Sequence, residues 1–197
     1  MANAPTPPTT FQLRVTLEDI YPPIWRRVLV PANITLAKLH DVIQAAMGWT
    51  NSHLHEFRIG DARYGVPDPE LDDTHGPDHD EQDYRLDQVI SHAGMTFGYV
   101  YDFGDHWEHD IIVEDILHSD TGHPSVSCLD GERNGPPEDI GGPYNYPEVL
   151  DAIADPDHEE HAHYVEWLGD GFDPEAFDVA EVNERLGDII RGWRRRS

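Results

Sequence analysis

Phe11, Leu13, Val15 and Leu17 alternate with Gln12, Arg14, Thr16 and Glu18. A period of two marks a strand with one face in a core and the other in water. After Tyr21-Pro22-Pro23 breaks the run, Ile24 to Val30 reads as the returning strand, closed by Pro31. HLHEFRIG, residues 53–60, supplies a third strand with a short extension around Tyr64. Phe97, Tyr99, Tyr101 and Phe103 alternate again; Gly104-Asp105 makes the turn and Trp107 to Glu114 returns antiparallel.

Between these runs the period changes. Leu36, Leu39, Ile43 and Met47 share one helical face, Asn33 or Thr35 can cap its start, and Gly48 stands where a C-terminal glycine cap belongs. Short helices are expected at Leu86–Ile90, Tyr146–Ala154 and His158–Leu168, and Asp178 caps a last one carrying Val179, Val182, Leu186 and Ile189. The order is ββα, further antiparallel hairpin strands, then C-terminal helices packed on the sheet, so the class is α+β with a mostly antiparallel sheet. We expect residues 1–10 to be a disordered lead-in, 11–190 a single domain and 191–197 a basic tail. Residues 67–83, rich in Asp and Glu without one base, are expected to form a mobile loop, and the glycine- and proline-rich stretch 119–147 a long irregular segment.

Charge narrows the partners. Thirty-nine acids against thirteen bases give a formal net charge of −26, and Lys38 is the sole lysine. Such a field repels nucleic acid and anionic lipid; it reads as a solubilising surface, the alternative being a basic protein partner or divalent cations. The one contrary feature is the terminal RGWRRRS, with Arg191, Arg194, Arg195 and Arg196. A single cysteine, Cys128, excludes an internal disulfide framework and suits a reducing cytoplasm. No apolar run is long enough for a membrane span, and the first ten residues lack the basic and apolar regions of a signal peptide. A cytoplasmic location is therefore expected.

Three polar segments interrupt apolar, aromatic surroundings, where buried polar groups need partners. In HLH, His53 and His55 fall on one face of the expected strand, with Cα atoms roughly 6.6 Å apart, and could converge on a metal; the alternative is one packed and one locally hydrogen-bonded imidazole. YDFGDHWEH places Asp102, Asp105, His106, Glu108 and His109 within eight residues, ingredients for acid–base chemistry or a mixed oxygen and nitrogen metal site. Equally, Asp102 and Asp105 are ordinary turn residues, and Phe103 and Trp107 core anchors. In PPEDIGG, Glu138 and Asp139 precede Gly141 and Gly142, which permit positive φ or close backbone approach to a ligand; the alternative is a rigid surface turn. The segment His158–His163 lacks the HExxH spacing of a metalloprotease, and Cys128 has no motif that names a base for it.

PPIWRRVLVP (22–31), TLAKLHDVIQAAMGW (35–49), HLHEF (53–57), YDFGDHWEH (101–109), GPPEDIGG (135–142) and WLGDGFDPEAFD (167–178), in this order, resemble the plasmid pRiA4b ORF-3-like family over about residues 11–190. Its members are also labelled passenger proteins of a mobile insertion element and occur on plasmids and transposons. The resemblance implies that genetic context but no assigned reaction. Relatives often carry further cysteines around the PPED segment; with Cys128 alone, a thiolate metal site cannot be complete here. Three readings follow. The first is a mobile-element-associated accessory or binding protein without a catalytic motif. The second is a metal-assisted hydrolase or ligand-binding protein using HLH, YDFGD and PPED, with a divalent metal as cofactor. The third is a DNA-transaction accessory acting through Arg194–Arg196. The residues do not decide whether the chain is an enzyme.

Overall fold

A computed structural model describes residues 9–67, 76–118, 125–169 and 171–196. The chain runs β1 (Thr9–Leu17), β2 (Trp25–Pro31), α1 (Leu36–Met47), β3 (His55–Ile59), β4 (Ala62–Gly65), β5 (His79–Asp80), α2 (Leu86–Val89), β6 (Thr96–Tyr101), β7 (Trp107–His118), β8 (Ser127–Glu132), α3 (Gly142–Ala154), α4 (His161–Leu168) and α5 (Val179–Arg196). The strands form one sheet in the order β5-β4-β3-β6-β7-β1-β2-β8. Every pairing is antiparallel except the short β4–β5 ladder. The class is α+β, and among the described residues no helix is long and apolar enough to cross a membrane.

Alternation does what it promised in β1, where Phe11, Leu13, Val15 and Leu17 are buried. They join one apolar cluster with residues of α1, α3 and α5, among them Leu39, Ile43, Tyr146, Val149, Val182 and Leu186. Helix α1 begins and ends as its caps dictate. Thr35 Oγ1 accepts the Lys38 N–H at 3.3 Å, and Gly48 closes the helix at φ 91°. Two guanidiniums then satisfy its last turn: Arg26 Nε donates to Ala46 O and Arg185 Nε to Ala45 O, both at 2.9 Å. Arg26 is buried without a carboxylate partner among the described residues, and burial pushes its guanidinium down to about 10.

Several expectations need correcting. β3 starts at His55, so His53 lies in the loop before it rather than on the strand. The acidic stretch falls partly outside the described residues (68–75), but 76–83 is ordered, with β5 on β4 and Glu81 buried. Glu81 can be buried because His55 meets its carboxylate. The stretch 119–147, of which 119–124 is not described, contains β8, which covers β2, and the start of α3. Trp107 is a core anchor, whereas Phe103 is half exposed at the turn. Residues 191–196 continue α5, and the first two residues of β1, Thr9 and Thr10, belong to the sheet rather than to a lead-in.

Candidate functional site

Three loops meet at one end of β3 and β6: residues 48–54 after α1, the turn 102–106 between β6 and β7, and residues 134–141 before α3. Specific bonds tie them together. Trp49 Nε1 donates to Pro136 O at 2.8 Å, and the Thr50 N–H to Glu138 Oε1 at 2.8 Å. The Gly141 N–H donates to Asp105 Oδ2 at 2.9 Å. Gly142, at φ +77°, presses against the Asp105 carbonyl, where a Cβ would not fit.

The polar groups converge inside this junction. His53 Nε2 lies 3.0 Å from Asp139 Oδ1, 3.5 Å from Asp102 Oδ2 and 3.8 Å from Glu138 Oε2. That nitrogen is sealed from solvent and makes no hydrogen bond, so the Asp139 approach is close but not aligned. The ligand atoms of His53, Asp102 and Asp139 all lie within 4.8 Å of one another. Ligands held about 2.1 Å from one ion sit roughly 3.0–3.5 Å apart, so the two shorter separations fit a shared metal. The remaining valences of the carboxylates are used to aim them. Asp102 Oδ1 accepts from the Gly104 and Asp105 N–H groups at 2.9 and 3.3 Å, which leaves Oδ2 for His53. Glu138 accepts from the Tyr101 hydroxyl at 3.0 and 3.1 Å, and Tyr101 in turn accepts the Ser52 N–H at 3.0 Å. Burial, reinforced by Glu138, pushes the Tyr101 hydroxyl well up, so it stays a donor. Such outer hydrogen bonds orient metal ligands. Asp102 and Asp139 both adopt positive φ, 55° and 57°, which aspartate tolerates. Among the described residues no lysine or arginine pairs with these three carboxylates.

The other candidates stand elsewhere. Asp105 is the clamp to Gly141 rather than part of the cluster. His109 is buried in the core, its Nδ1 donating to Tyr99 O and Trp107 O at 3.2 and 3.1 Å, and burial pushes it down to about 4. His55 does not join His53: its Nε2 reaches Glu81 Oε2 at 2.8 Å. Cys128 is buried with its thiol pushed up by burial, the reverse of an activated nucleophile.

Residue reading missed a second polar assembly. His55 stacks on His40, ring centroids 3.5 Å apart and planes 6° from parallel. Around His40 the bonds close a ring: Gln44 Nε2 donates to Tyr99 Oη (3.1 Å), Tyr99 Oη to His40 Nδ1 (2.8 Å), His40 Nε2 to Asn51 Oδ1 (2.8 Å), and the Asn51 N–H to Gln44 Oε1 (2.8 Å). The amide oxygen of Asn51 only accepts, so His40 carries its proton on Nε2. Burial, then the adjacent His55, pushes His40 down to about 3. The available signal was on the helix itself, where His40 and Gln44 interrupt the apolar face of Leu36, Ile43 and Met47.

Known proteins are similar to this chain in sequence and in fold. The family model described as plasmid pRiA4b ORF-3-like protein matches residues 9–181. "Uncharacterized protein y4hQ" of Sinorhizobium fredii is 42% identical over 187 residues, which cover 94% of this chain and 95% of that protein. The crystal structure of the protein of unknown function MM3350 from Methanosarcina mazei Go1 superposes with a TM-score of 0.77 at 35% identity, covering 89% of this chain and 98% of that one. By sequence along most of its length, and by fold, the chain belongs to the plasmid pRiA4b ORF-3-like protein family.

Proposed function

We propose that this protein is a metal-dependent binding protein that holds one divalent transition-metal ion at His53, Asp102 and Asp139, with Glu138 beside them. The observation that carries the reading is the sealed, unbonded Nε2 of His53 facing three carboxylates that no described lysine or arginine neutralises. A lone imidazole among carboxylate oxygens suits zinc, manganese, iron(II) or nickel rather than a thiolate centre. An ion there would offset the clustered negative charge and act as a Lewis acid toward an added ligand. The chain's own residues do the positioning: Tyr101 and Thr50 hold Glu138, and the turn amides hold Asp102. The excess of acid over the chain makes a basic protein the macromolecular partner this reading predicts, and disfavours nucleic acid.

Elemental analysis after chelator-free purification, followed by calorimetric titration of zinc and manganese into the stripped protein, tests it. We expect close to one ion per chain. His53→Ala and Asp102→Asn should each weaken binding by at least ~10-fold, and asparagine keeps the positive φ that position 102 requires. Less than about 0.1 ion per chain, with no titration heat at millimolar metal, would remove the proposal.

A further inference from the structure

Glu138 belongs to two neighbouring places. Its Oε2 lies 3.8 Å from His53 Nε2 in the polar junction, and the same residue lines a slot of about 310 Å³. The slot's other walls include Gly48, Pro136, Pro137, Trp167 and Phe172. A volume of that order stands at the lower end of small-molecule sites. Its floor is fixed. Trp49 Nε1 donates to Pro136 O, the Thr50 N–H donates to Glu138, and Gly135 lies so close to the Met47 carbonyl that no Cβ would fit. Trp167 forms a wall from α4, a surface helix with no buried residue, and 46% of it is exposed. A large ring left open beside a concave, proline-lined wall is apolar surface that a ligand can bury.

The charge of the junction selects what an ion there can add. His53, Asp102 and Asp139 offer three ligand atoms, and a transition metal held by three protein ligands keeps a position for an added group. The junction is reached from solvent at Asp139, whose side chain is 70% exposed against 11% for Asp102. With Glu138 the carboxylates outweigh a divalent ion by one negative charge, and no described lysine or arginine pairs with them. Arg185, the cation on the slot wall, is already engaged by Ala45 O and by Glu181 Oε1. An anionic donor would meet like charge, and a protonated amine has no lone pair to give. An uncharged ring nitrogen has neither defect and suits the same metals. We propose that the ion takes an uncharged imidazole-type nitrogen as its added ligand, with an apolar substituent of that ring lying in the slot against Pro137, Trp167 and Phe172. This rests on the metal reading above and adds to it the class of ligand.

The test uses the full chain loaded with one equivalent of cobalt(II), whose visible bands report a nitrogen entering its coordination, at about pH 8, where imidazoles are uncharged. 4-Phenylimidazole should change the bands and bind at least ~10-fold more tightly than imidazole, the gain from burying a phenyl ring. Phenylacetate, the same ring on an anion, should bind at least ~10-fold more weakly than 4-phenylimidazole. Trp167→Ala should cut the preference for 4-phenylimidazole over imidazole to ~2-fold or less. Three results on cobalt-loaded protein overturn the inference and leave the metal reading standing: bands unmoved by ~5 mM 4-phenylimidazole, equal affinity for imidazole and 4-phenylimidazole, or phenylacetate bound as tightly. A preference undiminished in Trp167→Ala also overturns it, because the substituent then lies outside the slot. So does 4-phenylimidazole binding that calorimetry finds undiminished after EDTA stripping, since the ring is then held without the ion. A chain that takes up no cobalt removes both readings.

Discussion

His40 and His109 are held neutral by the fold, and this has a consequence in acid. Their folded values, about 3 and about 4, lie below the ordinary histidine value of 6.5. The unfolded chain therefore takes up more protons as pH falls, so their contribution is complete above about pH 6.5 and is lost progressively below it. At pH 5 each buried imidazole costs about 2 kcal/mol relative to neutral pH. Urea unfolding at pH 7.5 and pH 5 checks this: between the two, the wild type should lose about 2 kcal/mol more stability than His109→Leu, which removes one of the two groups. Equal losses would contradict it. The same residues show what spacing conceals. HLH reads as two imidazoles on one face, yet the chain leaves α1 through a loop that keeps His53 off the strand, and the two rings serve different assemblies.

Helix α1 was legible almost to the residue, because its apolar stripe, Thr35 cap and terminal glycine are all local signals. The hairpin strands were legible for the same reason. β8 and β5 were not. β8 carries no clean alternation and is defined by its ladder to β2, and β5 is two residues long and exists through β4. The loops of the candidate site are elements in the same sense, shaped by what they lean on. Gly142→Ala tests that dependence. The new Cβ would meet the Asp105 carbonyl at a backbone angle alanine resists, so we expect a loss of about 2 kcal/mol. Metal affinity should fall with it, because the clamp between Asp105 and Gly141 positions Asp139 relative to Asp102. A thermal melt and a zinc titration on this variant read both effects; unchanged values in both would show that the loop is held by something else.

Across the molecule, a formal charge of −26 sets the electrostatic background. Self-repulsion among exposed carboxylates opposes compaction and is screened by salt, so raising sodium chloride from 0.05 to 0.5 M should stabilise the protein by ~1 kcal/mol, about 2–4 °C in melting temperature. A melting temperature that falls with salt would show that attractive surface pairs dominate instead. Charge, the α+β class and the run of family motifs were all available from the order of amino acids, because composition and hydrophobic period are local properties that survive without neighbours. The convergence of His53, Asp102, Glu138 and Asp139, and the separation of His55 and His109 from them, came only with the packed sheet. Side-chain partners more than thirty residues apart are chosen by strand register and loop closure, and no short window of sequence contains either.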